Sequence, residues 1–431
     1  MLGTERRVRE VAVNEAARGA GPRSAVVVGA GIVGLSTAWF LQEHGVRVTV
    51  LDRTGVAAGA SWGNAGWLSP GLAIPLNEPG VRRAGLTSLL QRDAPLYVPR
   101  TADPALWSFL LRFAAHCTWP AWRRVVTANL ALNDDCLDAF DTLTRGGVTA
   151  TTVEAPVTAV FESAGAAGAL LAELRRFTAA GARADHTGLT ASEVRARLPQ
   201  LSDRAGAGIE LSGQRYADPG RFVRALADSV RHRGGTIRAG FDVRSIRYHR
   251  HAVTVVSRDN VSFSANVAVL ATGAWISRLA GKLGVRVPVR AGRGYSFTVP
   301  TETPLRQPVY LPTVRVACTP YRDAMRVAGT MEFRGPDDPP DERRVQAIVR
   351  SAAPFFEGVR WDERGDTWVG PRPVSSDGLP VIGATTEPGV FVAGGHGMWG
   401  FTQGPVTGKL LAEHIVTGKQ PESLRPFDPL R

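Results

Sequence analysis

Apolar positions along the chain fall into two contrasting patterns. Near the N-terminal end, Ala25 to Val28 is a continuous, mostly β-branched run. It is broken by Gly29-Ala30-Gly31-Ile32-Val33-Gly34, followed by a helically spaced segment and a second run, Val46 to Leu51, that ends on Asp52. Short apolar runs bounded by glycine predict buried strands, so this stretch reads strand, turn, helix, strand. The pattern returns later. Asp218-Pro219 opens a helix carrying Phe222, Leu226 and Val230, Gly234-Gly235 closes it, and Thr236 to Arg238 begins a strand. Alternating runs at Val243 to Tyr248, Val253 to Val256 and Val261 to Ser264 predict a β-meander. Val267 to Leu270 is a buried strand closing on Ala271-Thr272-Gly273-Ala274-Trp275, and Val390 to Ala393 is another, followed by a glycine-rich turn and a helix through Ile415.

The intervening segments differ. Pro75 to Arg100 reads as irregular. From Pro104 to Gly146 helical spacing predicts buried stripes at Trp107, Leu110, Leu111, Ala114, Leu130, Leu137, Phe140 and Leu143. Thr151 to Phe161 and Ile209 to Leu211 read as strands around a helix at Ala167 to Ala180. Between Gly281 and Pro371, short strands are split by Pro and Gly: Val285 to Arg290, Tyr295 to Val299, Val309 to Leu311, Arg315 to Pro320 and Arg326 to Thr330. A helix is placed at Glu342 to Ala353. That is an antiparallel pattern.

Composition narrows the class. With 431 residues, 44% apolar and 21% charged, the chain can build two cores. The net charge of +12 rests on scattered arginines, with Lys282, Lys409 and Lys419 the only lysines, and no basic block interleaved with aromatics speaks for nucleic acid. Three cysteines without metal spacing read as reduced thiols of a cytoplasmic protein, and no metal site is expected. Met1 to Arg23 lacks a continuous apolar core and reads as a disordered leader. No run of about 18 apolar residues predicts a membrane span. Trp107, Trp119 and Trp122 beside Arg112, Arg123 and Arg124 have the make-up of an interfacial anchor, a weak contact with the inner face of a membrane. Packing inside the fold or against a subunit is the favoured reading, and the oligomeric state stays open.

The chemistry begins with the glycines. Gly29 permits a tight turn, Gly31 lets backbone approach a pyrophosphate where the helix starts at Ile32, and Gly34 lets helix and strand pack. Asp52 is placed to accept from a ribose hydroxyl, with Arg53 beside it. In the glycine-rich run from Gly59 to Gly71, Ser61 and Asn64 offer short polar contacts and Ala65-Gly66 clearance for a flat ring. Thr272, Gly273 and Trp275 form a second turn suited to phosphate or ribose.

These segments, in order across Ala25 to Ile415, resemble the D-amino-acid oxidase superfamily of FAD-dependent amine oxidoreductases, and most the bacterial D-amino-acid dehydrogenases. The resemblance rests on the fingerprint, GASWGNAG at Gly59 to Gly66 and ATGAW at Ala271 to Trp275. It rests further on GYSFTV at Gly294 to Val299, WVGPRPVSSDGLPVIG at Trp368 to Gly383 and GHGMWGFT at Gly395 to Thr402. Ser375-Ser376 stands where Thr-Pro is usual, Trp399-Gly400-Phe401 where Leu-Gly-Trp is usual, and QGPVTG after Thr402 also differs. The fold implied is α/β: a Rossmann-like FAD-binding domain with a β-meander, plus an α+β substrate domain on a largely antiparallel sheet. The boundaries assigned are 24–75, 205–280 and 368–431 for the first, and 76–204 and 281–367 for the second.

The resemblance implies FAD with its pyrophosphate over Gly29 to Gly34, its ribose on Asp52 and its adenine against the Val243 backbone. Its ring would lie by Gly397, Met398, Trp399, Gly400, Phe401 and Thr402, where a helix N-terminus favours negative charge on the flavin. No cysteine lies in Gly394 to Thr402, so non-covalent FAD is expected, with Cys318 left open as a link. The implied reaction is oxidative deamination of an amino acid by hydride transfer to the flavin, with oxygen, a quinone or another acceptor completing turnover. The alternative is oxidation of a glycyl or secondary amine in a larger metabolite. Arg372 is the expected carboxylate anchor, against a structural arginine capping the turn. Tyr295 shares that carboxylate, lines the pocket or is a satisfied core tyrosine. His396 contacts flavin or substrate and titrates near neutrality, or fixes its loop.

Overall fold

The structure is a computed structural model and describes residues 21–81, 94–99 and 101–431. Most of the expected leader, and part of the irregular stretch before Arg100, lie outside these residues.

Two sheets organise the chain. The first has six strands in the order Thr236–Arg238, Arg47–Leu51, Ser24–Val28, Val267–Leu270, Val390–Gly394, Val381–Ala384. Neighbours are parallel except the last pair, which is antiparallel. Its strands come from three separated parts of the sequence because each apolar run needs both faces covered, the rule for parallel sheets. Helices Ile32–Glu43, Pro219–His232 and Gly400–Thr417 contribute to one core, where Phe140, Phe222 and Phe401 meet with centroids 4.9 to 6.2 Å apart. A methyl group on Gly408 would stand 2.6 Å from the Thr37 backbone nitrogen, so the small residues after Thr402 let this last helix lie on Ile32–Glu43. The meander forms as its alternation predicts, from Val243–His249, Ala252–Ser257 and Ser262–Ala265.

The larger sheet runs Gly365–Ser375, Val289–Pro300, Ala324–Phe333, Val316–Tyr321, Val309–Leu311, Val157–Phe161, Ala207–Leu211, His186–Thr190, with Leu96–Tyr97 against Ala324–Phe333. It is largely antiparallel. Two strands that the sequence groups with the nucleotide-binding segments, Ala207–Leu211 and most of Gly365–Ser375, run in this sheet instead. Val285 to Arg290 is not one strand: pairing starts at Val289 and runs to Pro300, with irregularities in register between Arg293 and Tyr295 on one side and between Ser296 and Thr298 on the other.

Three helices form between Pro104 and Gly146, at Pro104–His116, Trp119–Asp134 and Cys136–Arg145. In the first, the buried stripe is Leu106, Phe109 and Phe113, one position out of phase with the expectation, and Trp107 and Leu111 are exposed. The segment is apolar on most sides, so spacing alone does not choose its inner face. Trp122 is buried, while Trp119 is exposed and lies under the Arg176 guanidinium, 4.5 Å from its ring. Among the described residues, no helix is long and apolar enough to cross a membrane.

Candidate active site

A cavity of about 310 Å³ opens at the carboxyl ends of the parallel strands and extends to the face of the larger sheet. That is where open α/β sheets bind dinucleotides. Gly29 has a φ of +115°, and a methyl group there would stand 2.3 Å from the Ala271 carbonyl oxygen, so only glycine makes this turn. Gly34 lies behind the wall, packed on the Gly29 carbonyl. Helix Ile32–Glu43 starts without a side-chain cap at Gly31, and the Ile32 N–H donates to Ser61 Oγ at 3.1 Å. An uncapped helix end lined by a hydroxyl suits a diphosphate.

Asp52 is fixed by three backbone donors: Ala30 N–H to one oxygen, Thr54 and Gly55 N–H to the other, each at 2.8 Å. A carboxylate has about four acceptor sites, which leaves one for a ribose hydroxyl. Gly31, Ile32, Arg53, Val243, Thr272, Gly273 and Trp275 line the same end. Asn64 lines the cavity while its amide holds the loop, donating to the Ser61 carbonyl and accepting from Gly66 N–H.

The other end is walled by Trp368, Pro371, Arg372, Pro373, His396, Gly397, Met398, Gly400 and Phe401. Helix Gly400–Thr417 also begins without a side-chain cap, so its free N–H groups face this end. Ala65, Gly66, Trp399 and Thr402 stand outside the wall. Trp399 donates its indole N–H to the Ile74 carbonyl at 3.1 Å, and Thr402 its hydroxyl to the Trp67 carbonyl at 3.0 Å. Their work is to fasten loops. The three cysteines are buried and none lines the cavity; burial pushes the Cys318 thiol up. Among the described residues no cluster of His, Cys, Asp and Glu could hold a metal.

The three expected substrate residues behave differently. Arg372 is deeply placed, donates from Nη1 to the Thr330 carbonyl at 2.8 Å, and has no carboxylate partner among the described residues. Desolvation lowers it to about 10, still a cation at neutral pH. Tyr295 presents its ring to the cavity, but its hydroxyl is spent. It donates to Glu332 Oε1 at 2.8 Å and accepts from Asp341 N–H at 3.1 Å, so it does not share a substrate carboxylate. Glu332 is itself buried between Arg293 and Arg344. His396 does not titrate near neutrality: burial lowers it to about 4, and its Nε2 bonds the Thr407 hydroxyl at 2.9 Å.

Trp368, Phe241, Arg244 and Arg278 also line the cavity and were missed in the sequence. Phe241 stands two residues from Val243, so strand alternation carries a signal for it. Trp368 lies in the quoted WVGPRP motif and packs over Gly63 and Gly370. For Arg244 and Arg278 the sequence holds none.

The glycine turn, the two uncapped helix ends and the long cavity fit an adenine dinucleotide bearing a flat ring. A family model described as FAD dependent oxidoreductase matches residues 24–414. The chain belongs to the FAD-dependent oxidoreductase family. FAD is therefore the cofactor. Among curated relatives, a D-amino acid dehydrogenase of Xanthobacter autotrophicus is 31% identical over 406 residues, covering 92% of this chain and 96% of the relative. One of Vibrio vulnificus is 29% identical over 415 residues, covering 94% and 99%. Among solved structures, glycine oxidase from Geobacillus kaustophilus superposes with a TM-score of 0.72 at 21% identity, covering 96% of this chain and 99% of that one, a likeness of fold.

Proposed function

We propose that this FAD-dependent amine oxidoreductase dehydrogenates D-amino acids, with Arg372 holding the α-carboxylate and FAD held without a covalent link. The observation that carries the reading is the half-buried Arg372 guanidinium, which lines the ring end of the cavity with only a carbonyl for partner among the described residues. A partly desolvated cation without a counter-ion is costly, and a bidentate carboxylate is the ligand that best relieves it. The names of the curated relatives support the amino-acid class.

When bound, FAD supplies the acceptor for a hydride from the amine carbon, leaving an imine that water hydrolyses. The chain orients and dries the site. Arg372 fixes one end of the substrate, while Trp368, Pro371 and Pro373 exclude water beside it. Among the described residues, the only carboxylates lining the cavity are Asp52 and Asp242, both at the nucleotide end. With Tyr295 and His396 occupied by Glu332 and Thr407, the amine surrenders its proton to solvent and enters neutral.

The test is anaerobic bleaching of the bound flavin by D-amino acids, their L-enantiomers, glycine and N-methyl amino acids, followed by admission of oxygen or a quinone. Faster bleaching by D-amino acids than by every other class supports the reading. Faster bleaching by glycine or N-methyl substrates overturns it.

A further inference from the structure

The segment 334–341, Arg-Gly-Pro-Asp-Asp-Pro-Pro-Asp, leaves the larger sheet after Ala324–Phe333 and reaches the nucleotide end of the cavity. Its base is tied down twice: Arg293 donates to the Pro339 carbonyl at 3.1 Å, and Asp341 N–H donates to the Tyr295 hydroxyl. Three prolines and a turn closed by Gly335 N–H on Asp338 Oδ2 stiffen it, so little chain entropy is lost in holding its tip in place. At the tip, Asp337 takes three donors from the segments that follow two strands of the other sheet. Arg53 Nη2 lies 2.8 Å from Oδ1, while Trp275 Nε1 and Arg278 Nη2 lie 3.0 and 3.1 Å from Oδ2.

Arg53, Trp275 and Arg278 all line the cavity, and Asp337 does not. Arg53 directly follows Asp52, and Trp275 ends the turn after Val267–Leu270; the guanidinium of the first stacks 4.5 Å over the ring of the second. These groups therefore stand at the ends of two strands that flank or follow the glycine turn. One carboxylate against two guanidiniums leaves a surplus positive charge at a wall built for a diphosphate. Exposed ion pairs add little to stability on their own, so a gain in stability does not explain a strap crossing between sheets. Preorganising cationic and aromatic groups does, because it removes their ordering cost from the binding step.

We propose that Asp337 is a positioning residue for the cofactor: the 334–341 strap holds Arg53, Trp275 and Arg278 in the arrangement that retains the adenosine diphosphate half of FAD. Asp337 acts through these three side chains and does not touch the cofactor.

The experiment uses the holoenzyme. FAD release on dilution is followed by recovery of flavin fluorescence for wild type, Asp337→Asn, Asp337→Ala, Arg53→Gln/Arg278→Gln, and the combined variant carrying Asp337→Asn. Asp337→Asn and Asp337→Ala are expected to weaken FAD binding about tenfold, while Asp337→Asn adds less than about twofold in the Arg53→Gln/Arg278→Gln background. Unchanged FAD affinity in both single variants overturns the proposal. So does an equal loss in the two backgrounds, which would mean that Asp337 acts by another route.

Discussion

Gly294 and Arg372 lie on adjacent antiparallel strands, and a methyl group on Gly294 would stand 2.1 Å from Arg372 Nη2. The guanidinium rests across the bare backbone of the glycine, and the Thr330 carbonyl holds it from the other side. Gly294→Ala is therefore expected to displace the guanidinium. The KM for amino acids should rise at least about tenfold, the loss of one charge-assisted hydrogen bond, while FAD content is unchanged. Steady-state kinetics on the FAD-loaded variant check this, and an unaltered KM contradicts it.

Tyr295 is tied to Glu332 and Asp341, and burial pushes its hydroxyl up to about 12. Tyr295→Phe removes a donor from a buried carboxylate, so it should cost about 1–3 kcal/mol in stability. The KM should move less than about threefold, since no substrate bond is lost. A large KM effect at wild-type stability would return the hydroxyl to the substrate.

His396 stays neutral in the folded protein to about pH 4, against an ordinary value of 6.5. Below 6.5 the unfolded chain takes up a proton that the folded one refuses. The group's contribution is thus fully present above pH 6.5 and is lost as pH falls, by about 1.4 kcal/mol per unit. Urea titrations of wild type and His396→Gln across pH 4.5 to 7 should show a difference of that slope; parallel curves contradict it.

Glu173 runs the opposite way. Burial, then the neighbouring Glu78, raises it to about 7. Because the folded value lies above the ordinary one, its contribution is full below pH 4.5 and is lost as pH rises toward 7. Glu173→Gln mimics the protonated form, so the variant should melt above wild type at pH 8 and the gap should close by pH 5.

The nucleotide end was legible in the sequence because its chemistry is local. The glycines, the strands around them and Asp52 lie within one short stretch, and each position has a backbone reason to be what it is. The substrate end is assembled across the sheets: Arg372, Gly397, Met398, Gly400 and Phe401 could be read from their motifs, but not what holds them. Spacing does not reveal that Tyr295 meets Glu332, or that His396 is sealed against Thr407, because those partners come from other elements. Leu106, Phe109 and Phe113 make the same point for packing: where most faces of a helix are apolar, the neighbour chooses the inner one. Asp337 lies far in sequence from Arg53, and nothing in the segment 334–341 signals its reach.

The anchoring of a carboxylate by Arg372 is tested most directly by reducing the flavin anaerobically in wild type and Arg372→Ala, with a D-amino acid and with the amine lacking its carboxylate. The half-saturating concentration of the amino acid should rise roughly 100-fold in the variant, equivalent to about 3 kcal/mol, while that of the amine stays within about twofold. Equal shifts for the two substrates would contradict the assignment.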